Sequence, residues 1–354
     1  MRYPKFLPEN GTIGFVAPAF GCADEGRRAC FNRARYVLGQ MGYHEKLGPN
    51  CYLAEGIGIS NTPAACAAEL TGFYCAGDID VIISCGGGEL MCETMSQVSL
   101  ERIAMAEPKW YMGSSDNTNM TFLLTTMFDT ASVYGTSAKG FGMEPMHQSI
   151  IDALSILTGT KLTVSGYEKW QFGSNPLEDG NPTAPYFLNT ERKHKIWLPE
   201  STLLIEDAGT WDGCINMEGR LLGGCMDCLV NLLGTRFDLV KDFLVKYEDD
   251  GILWFLEACD LNVFSIRRAM WQMEEAGWFR TAKGFLIGRP LCYGEQMMGL
   301  DAYEAILSTA RKHGVPVIMD MDLGHLPPSM PIVCGSVGSV EAKGNRIDIT
   351  YQFR

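Results

Sequence analysis

Hydrophobic positions along residues 1–160 follow two alternating patterns, one typical of buried strands and one typical of amphipathic helices. Short continuous apolar runs, which indicate strands buried on both faces, occur at 12–18, 80–84 and 109–112. Apolar residues at helical spacing, or a proline at a helix start, predict helices at 22–41, from 61, at 89–95 and from 121. The alternation predicts an α/β domain whose parallel sheet carries helices on both sides.

The periodicity is lost between residues 161 and 200, where glycine, proline and asparagine interrupt the chain. We predict that this stretch connects two domains and carries loops over a ligand crevice. Aromatic side chains stand between the interruptions, and they either cover the seam between the domains or stack on a substrate. Trp170 is the candidate for stacking, and the others are Phe172, Tyr186 and Trp197.

Residues 201–354 predict a second domain that mixes helices and strands. Strand patterns occur at 251–257, 282–290 and 315–319, and helical patterns occur at 226–233, 239–247, 263–278 and 302–313. The tail from 331 to 351 alternates like β-hairpins around Lys343-Gly344-Asn345. The sequence therefore predicts a mixed α/β domain that ends in antiparallel strands.

Composition narrows the class of protein. The 354 residues, 46% hydrophobic and 20% charged, suffice for two domains that each bury a core. The formal net charge of −13, and the lack of any Lys/Arg cluster beyond 192–195, argue against a nucleic-acid partner. No apolar run approaches the roughly eighteen residues of a membrane span, and the N-terminal residues lack the apolar core of a secretory signal. We therefore expect a cytoplasmic protein with no membrane partner.

The thirteen cysteines favour reduced, buried thiols over a disulfide framework, because their number is odd and they lie singly in apolar segments. Cys225 and Cys228 form the one C-x-x-C motif. This motif has no second pair and no histidine near it in the sequence, so we expect its thiols to pack on a helix face. We predict no metal and no cofactor.

Candidate chemistry occurs where the strand at 109–112 ends in the small residues Gly113-Ser114-Ser115, directly before a predicted helix. A hydroxyl on such a turn stands clear of the sheet, beside the first backbone N–H groups of the helix, which can bind a developing oxyanion. The strand at 80–84 ends in the triple glycine 86–88. Ligands bind at the carboxyl ends of parallel strands, so the glycines and the serines can face one crevice.

A serine nucleophile needs a base to take its proton, and the base needs a carboxylate to orient it. Among the five histidines, His325 is placed best, because it lies on a glycine-proline loop directly after the strand at 315–319. The other four have sufficient explanations in local structure, and they are His44, His147, His194 and His313.

For the carboxylate, Glu257 closes an apolar strand, where an unpaired charge is costly, and Asp260 and Glu206 compete with it. The resulting order of Ser115, Glu257 and His325 is that of the nucleophile-elbow hydrolases, and it favours Ser115 over its neighbour Ser114. The G-x-S-x-G pattern of that class is broken, however. Asn117 stands where its second glycine would be.

Four motifs stand in order along the chain, and they are Gly113-Ser114-Ser115-Asp116 with Asn117-Thr118, Gly219-Arg220-Leu221-Leu222-Gly223-Gly224 with Leu233-Gly234-Thr235, Leu256-Glu257, and Gly324-His325 with Pro331. Together they resemble the LD-carboxypeptidase family of serine peptidases. That family includes bacterial muropeptide LD-carboxypeptidases and the microcin C immunity hydrolases of the MccF type. The resemblance runs over essentially the whole chain.

The resemblance implies a catalytic triad made of Ser115, Glu257 and His325. It also implies an oxyanion hole formed by the backbone N–H groups of Asp116 and of one glycine in the triple glycine, Gly87.

The resemblance further implies an N-terminal parallel-sheet α/β domain, at 1–160, and a C-terminal mixed α/β domain with barrel-like antiparallel strands, at 201–354. The segment 161–200 is then the connection with substrate loops, and the family is usually homodimeric. Candidate substrate contacts are Gly86, Gly88 and Trp170. Two departures from the family pattern bear on substrate details, namely Ser114 before the nucleophile and Ala19-Phe20 after the first strand.

The substrate implied is a small peptide, a muropeptide or a peptidyl-nucleotide. The length of the chain and the aromatic connection around Trp170 favour the MccF-like subgroup, which cleaves an amide that joins an acyl group to a nucleotide-like moiety. The alternative is a muramoyltetrapeptide LD-carboxypeptidase of peptidoglycan recycling, which releases a D-amino acid.

Two readings from other classes stay open. Cys85 could be the nucleophile of an amidotransferase-like enzyme, although the glycine two residues before it is missing. The triple glycine 86–88 could instead cradle a phosphate in a non-catalytic nucleotide binder, although no G-x-G-x-x-G or P-loop pattern follows the strand.

Overall fold

The computed structural model describes residues 1–201 and 203–354. The helices are α1 (Glu25–Gln40), α2 (Pro63–Cys75), α3 (Met91–Gln97), α4 (Leu100–Met105), α5 (Thr118–Thr126), α6 (Gln148–Thr158), α7 (Met226–Leu232), α8 (Val240–Lys246), α9 (Val263–Glu275) and α10 (Ala302–Ala310). The strands are β1 (Thr12–Val16), β2 (His44–Leu47), β3 (Val81–Ser84), β4 (Trp110–Gly113), β5 (Ser132–Tyr134), β6 (Thr163–Ser165), β7 (Lys169–Trp170), β8 (Thr190–Glu191), β9 (Lys195–Trp197), β10 (Cys214–Cys225), β11 (Ile252–Glu257), β12 (Ala282–Gly288), β13 (Gln296–Met297), β14 (Leu300–Asp301), β15 (Val317–Met321), β16 (Ile332–Cys334), β17 (Val337–Lys343) and β18 (Arg346–Gln352).

The chain forms two compact units. Unit 1 consists of Met1–Leu162, Gly173–Phe187 and Pro331–Val333. Unit 2 consists of Thr163–Phe172, Leu188–Met330 and Cys334–Arg354. The predicted connection at 161–200 is thus divided between the two units, and the domain limits at 160 and 201 stay a prediction.

Unit 1 is built on a sheet with the strand order β16-β5-β4-β3-β1-β2. The strands from β2 to β5 pair in parallel, with Phe15 opposite Ile83 and Ile83 opposite Met112. Strands β3 and β4 are buried along their whole length, in agreement with their continuous apolar sequences. The predicted parallel α/β domain is therefore confirmed.

Helix starts in unit 1 follow local capping chemistry. The Asp24 side chain accepts a hydrogen bond from the backbone N–H of Arg27 at the start of α1, and Thr62 does the same for Ala65 at the start of α2. Pro63 occupies the first turn of α2, where a backbone N–H would have no partner within the helix. Helix α5, directly after the serine turn, is buried at every position.

Unit 2 contains a mixed sheet with the strand order β6-β18-β17-β10-β11-β12-β15-β9. Its centre, from β10 to β15, is parallel, and its flanking pairs are antiparallel. The predicted C-terminal hairpin is confirmed as β17 and β18, in which Lys343 pairs with Arg346 across Gly344, a residue with a φ of +57°. The mixed α/β class of this half of the chain is likewise confirmed.

Some elements carry too little pattern to be predicted from the sequence. The edge strand β2 is exposed or half-buried throughout, and β6 to β9 span two or three residues each, too few for any period to register. None of the helices in the described part of the chain combines the length and the apolarity that crossing a membrane requires. All thirteen cysteines are free thiols.

Glu69 on α2 joins two loops in the interior of unit 1. Its carboxylate accepts hydrogen bonds from the backbone N–H groups of Ala17 and of Asn50, the latter at 2.7 Å. The residue is only 5% exposed. Burial raises the pKa of the Glu69 carboxyl to about 7, although the two backbone hydrogen bonds act to lower the pKa.

We expect Glu69 to make the free energy of unfolding fall as the pH rises from about 4.5 to about 7. Below this pH range the Glu69 carboxyl is protonated in both the folded and the unfolded protein. Within the range, the carboxyl of the unfolded protein loses its proton while that of the folded protein keeps it. Above it the folded state bears the cost of a buried charge, on the order of 3 kcal/mol. Glu69→Gln resembles the neutral form, so the variant should lack this pH dependence.

Chemical denaturation of the wild type and of Glu69→Gln, repeated across that pH window, measures the difference between their unfolding free energies. Glu93→Gln, at an exposed position on α3, is the control and should follow the wild type. A difference between wild type and Glu69→Gln that stays constant with pH would contradict the prediction.

Candidate active site

Ser115 lies at the sharp turn between β4 and α5. Its φ is +60°, in the left-handed region that residues with a side chain rarely adopt. Its backbone N–H donates to the Tyr134 hydroxyl at 2.9 Å, so β5 fixes the turn. Ser114 has extended backbone instead, with a φ of −127°. In a nucleophile elbow, the serine lies at a strained strand-to-helix turn. Ser115 has this backbone geometry, and Ser114 does not.

Asn117, which breaks the G-x-S-x-G pattern, has a structural role in this turn. A Cβ atom at Gly113 would lie 2.6 Å from Asn117 Cγ, so the asparagine side chain fills the space that glycine leaves open. The Asn117 amide donates to the carbonyl oxygens of Gly86 at 2.8 Å and of Ser114 at 3.0 Å, and Asn117 Oδ1 accepts from the Tyr111 hydroxyl. Asn117 therefore fastens the glycine loop to the serine turn.

The triple glycine comes directly against Ser115, as the strand ends predict. A Cβ atom at Gly87 would lie 3.1 Å from Ser115 Cβ and 3.3 Å from Ser115 Oγ. At Gly88 it would lie 2.7 Å from the Cβ of Ala19. The carbonyl of Gly87 accepts from the backbone N–H of Phe20 at 2.6 Å. Glycine at these positions permits the close approach of the two backbones.

The Asp116 side chain is turned into unit 1 and is 4% exposed. Its carboxylate accepts from the backbone N–H of Met91 at 2.8 Å and from the Asn119 amide at 2.9 Å. These bonds hold the start of α3 beside the start of α5. The side chain thus serves the fold, and any part of Asp116 in an oxyanion hole falls to its backbone.

In unit 2, the structure brings Glu257 and His325 together. Glu257 ends β11, and its Oε2 accepts a hydrogen bond from His325 Nδ1 at 2.8 Å. The Glu257 side chain is 1% exposed and the His325 side chain is 22% exposed. In the neutral imidazole, an Nδ1–H that donates to the carboxylate places the lone pair on Nε2. This is the tautomer that a general base in a triad requires.

Gly324 makes the contact between the histidine loop and Glu257 possible. Its φ is +95°, and a Cβ atom there would lie 2.6 Å from Glu257 Oε2. Its backbone N–H donates to Ser329 Oγ at 3.2 Å within the same loop. A side chain at this position would therefore displace the carboxylate that holds His325.

A buried ion pair anchors the histidine loop. The Arg289 guanidinium pairs with the Asp322 carboxylate, and both side chains are at most 1% exposed. Arg289 also donates to the carbonyl oxygen of Asp320 at 2.6 Å, and Asp322 accepts from the backbone N–H of Tyr167 at 2.7 Å. Breaking such a pair by removing one partner is strongly destabilising. Sequence analysis missed this pair, whose only sign was a charged residue at the end of each of two apolar strands.

Trp170 packs inside unit 2. It is 2% exposed, its ring meets Phe172 and Tyr293 edge to face, and the Arg289 guanidinium carbon lies 4.7 Å from its ring centroid. These neighbours occupy the ring, so the structure favours the packing interpretation over substrate stacking. Phe172, beside it, is 51% exposed.

The other candidates have partners of their own. Glu206 forms an exposed ion pair with Lys195, and Asp260 is exposed. Among the histidines, His147 caps α6, His313 pairs with Glu274 at 2.8 Å, His44 lies on the edge strand β2, and burial lowers the pKa of His194 to about 3.

Burial acts to lower the pKa of the His325 imidazole. The Glu257 charge, the neighbouring Cys259 side chain and the hydrogen bond that His325 donates to Glu257 outweigh burial and raise this pKa above its usual range. Burial raises the pKa of the Cys259 thiol, although the neighbouring His325 acts to lower it. A second thiol, that of Cys225, lies near Glu257 and His325. Cys225 and Cys228 are both buried.

Comparison with known proteins identifies the family. Residues 13–135 match the LD-carboxypeptidase N-terminal domain, and residues 218–340 match the LD-carboxypeptidase C-terminal domain. The chain therefore belongs to the LD-carboxypeptidase family. A Streptomyces coelicolor protein, SCO6489, which carries a provisional carboxypeptidase name, is 22% identical to this chain over 295 residues, or 80% of this chain and 76% of the relative.

Solved structures of MccF and MccF-like proteins share the fold. MccF in complex with glutamyl sulfamoyl guanosine has a TM-score of 0.76 at 18% identity, over 99% of this chain and 98% of its own. An MccF-like protein from Bacillus anthracis str. Ames has a TM-score of 0.78 at 19% identity, over 99% and 100%. An MccF-like protein from Streptococcus pneumoniae in complex with AMP has a TM-score of 0.73 at 19% identity, over 96% and 99%.

We expect Gly324→Ala to lower the free energy of unfolding by about 2–4 kcal/mol, because it combines left-handed strain with overlap between its Cβ and Glu257 Oε2. The matched control is Gly294→Ala. Gly294 has a φ of +78°, and beyond its two neighbours in the chain no described atom lies within 4 Å of the place where its Cβ would stand. This control should lose only the strain component, about 1–2 kcal/mol.

Denaturant unfolding of both variants measures the two losses. Equal losses in the two variants would mean that the contact between Gly324 and Glu257 does not constrain the loop.

Proposed function

We propose that this member of the LD-carboxypeptidase family is a serine hydrolase that cleaves an amide bond near a C-terminal residue. The observation that carries the proposal is the left-handed Ser115, held at a strand-to-helix turn with its Oγ beside Gly87. The hydrogen bond between Glu257 and His325 supports it, because it supplies an oriented base of the kind that a serine nucleophile needs.

The proposed reaction is acyl transfer through an acyl-enzyme. Ser115 Oγ attacks the carbonyl carbon while His325 takes its proton, and Glu257 holds the imidazole and stabilises its charged form. His325 then gives that proton to the leaving nitrogen as the amide bond breaks. In the second half of the reaction, His325 takes a proton from a water molecule as its oxygen attacks the ester carbon. The ester C–O bond then breaks, His325 returns the proton to Ser115 Oγ, and the acid is released.

The proposed oxyanion hole consists of the backbone N–H groups of Asp116 and Gly87. The closeness of Gly87 to Ser115 Oγ supports this assignment. Each such donor is typically worth roughly 10²–10³ in kcat. Asn117 supports the hole indirectly, because it ties the carbonyl of Gly86 to the serine turn.

For the substrate, we propose the MccF-like subgroup, and hence an acyl group joined by an amide to a nucleotide-like moiety. Likeness to MccF and MccF-like chains over nearly the whole length supports this choice. Among those structures, MccF is seen with aspartyl sulfamoyl adenosine and an MccF-like protein with AMP. Because Trp170 is buried, the half-exposed ring of Phe172 is the better candidate in this chain for stacking on a base.

The alternative within the family is a muramoyltetrapeptide LD-carboxypeptidase that uses the same triad. Its leaving group is a D-amino acid rather than a nucleotide-like moiety, so an aromatic ring beside the leaving group would have no base to stack on. The homodimer remains a family expectation under either substrate.

Two observations argue against the readings from other classes. Cys85 is completely buried, and burial together with hydrogen bonds from Cys22 and Cys51 raises its pKa well above the ordinary value, the opposite of an activated thiolate. The triple glycine packs against the Asp116 carboxylate, whose Oδ2 lies 3.0 Å from the Cβ position of Gly88. A negative charge there disfavours a phosphate.

The test offers aspartyl sulfamoyl adenosine and, separately, a UDP-linked muramoyl tetrapeptide to the wild-type protein. We expect a free nucleoside product from the first and little free D-alanine from the second. Ser115→Ala should lower turnover by at least about 10⁴-fold. Ser114→Ala, the matched control, should stay within about tenfold of the wild type, since Ser114 is not at the left-handed position.

Unfolding curves that match between the wild type and both variants show that the losses are chemical. If the protein instead releases D-alanine and this release depends on Ser115, the protein belongs to the muropeptide subgroup and the proposed substrate class is wrong. Wild-type turnover in Ser115→Ala would refute the proposed nucleophile.

A further inference from the structure

Three side chains of different chemistry converge at the carboxyl end of the parallel strands in unit 2. One ligand atom each of Cys225, Glu257 and His325 lies within 4.8 Å of the other two. Cys225 and Glu257 are paired residues at the ends of the neighbouring strands β10 and β11. They are 1% and 2% exposed, so the cluster is held by the fold.

The donor set fits a zinc-class ion. A thiolate, a carboxylate and an imidazole are the three kinds of ligand that proteins use for Zn²⁺. Ligand atoms around a tetrahedral ion of this size are about 3.5 Å apart, so the cluster needs only a small contraction to reach that spacing. The two anionic ligands also balance the charge of a divalent ion, which lowers the cost of keeping them buried.

Further groups are in place around the three donors. Cys228, the second cysteine of the C-x-x-C motif, is also buried. The Asp227 carboxylate accepts from the Cys225 thiol at 3.3 Å and from the backbone N–H of Cys259 at 2.9 Å. Asp227 can thus hold the Cys225 thiol in position.

We propose that Cys225, Glu257 and His325 form a binding site for a zinc-class divalent cation, and that the bound ion switches the hydrolase off. Binding is independent of the proposed function, whereas the inhibitory effect rests on it. Sequence analysis set metal aside because no histidine stands near the C-x-x-C motif. The fold removes that objection, since it brings His325 to Cys225 across 100 positions of the chain.

Binding exchanges one set of bonds for another in unit 2. The S–H bond of Cys225 breaks, its proton goes to solvent, and the sulfur electron pair binds the ion. Glu257 and an imidazole nitrogen of His325 donate their lone pairs to the same ion, so His325 is no longer a base oriented by Glu257. Inhibition follows, because the proposed mechanism needs that base at every step.

The first experiment titrates the full-length, chelator-treated protein with Co²⁺, a spectroscopic substitute for Zn²⁺. We expect a thiolate-to-cobalt charge-transfer band that saturates near one equivalent and disappears when Zn²⁺ is added. Cys225→Ser should abolish the band. Cys214→Ser, which removes the exposed thiol at the opposite end of β10, is the matched control and should retain it.

Glu257→Gln keeps the thiols but removes one ligand, and it should weaken Co²⁺ binding by at least about tenfold, measured by the same titration. It guards against a Cys225→Ser variant that fails to fold. Absence of the band in the wild type, or a band that survives Cys225→Ser or persists at full affinity in Glu257→Gln, would overturn the proposal.

The second experiment measures hydrolysis as a fraction of each protein's own rate in chelator. Zn²⁺ should inhibit the wild type and Cys214→Ser alike, and its half-inhibitory concentration should rise at least about tenfold in Cys225→Ser. Equal inhibition of all three proteins would overturn the switch. A protein that binds Co²⁺ through Cys225 but never hydrolyses a substrate would instead leave the site standing and refute the proposed function.

Discussion

The buried hydrogen bond between Glu257 and His325 is the constraint around which the C-terminal half of the molecule is arranged. A carboxylate that is 2% exposed at the end of an apolar strand is costly unless it is paired. His325 is the partner of this carboxylate, and two features hold it there. Gly324 leaves room for Glu257 Oε2, and the buried ion pair of Arg289 and Asp322 fixes the loop that carries His325. The same buried surroundings place the Cys225 thiol beside His325, so the proposed catalytic pair and the proposed metal site share the same residues.

In unit 1, the main constraint is the strained backbone that carries the Ser115 hydroxyl. Ser115 keeps a φ of +60° because the Tyr134 hydroxyl holds its N–H and because Asn117 ties the turn to the glycine loop. Strain of this kind persists only where neighbouring contacts over-determine it. Asn117, which breaks the usual glycine pattern, therefore helps to hold this turn. Its side chain fills the space over Gly113 that a glycine at position 117 would leave open.

Sequence analysis succeeded where chemistry is local and failed where it depends on distant parts of the chain. Adjacent residues are enough to predict the continuous apolar strands, the C-terminal hairpin and the family motifs. No local pattern predicts that β16, near the end of the chain, joins the same sheet as β5. Likewise, no local pattern predicts that Cys225 lies beside His325. Trp170 could not be assigned either, since an aromatic residue in an irregular segment looks the same whether it stacks on a ligand or packs on Arg289.

Labelling with a fluorophosphonate, which reacts only with a serine activated as a nucleophile, tests most directly whether Ser115 is that nucleophile. Mass spectrometry of the digested protein should find one adduct, on Ser115, in the wild type and in Ser114→Ala, and none in Ser115→Ala. His325→Gln should lose the labelling as well, because the hydroxyl then lacks its base. An adduct on Ser114, or labelling of Ser115 that is unchanged in His325→Gln, would contradict the assignment.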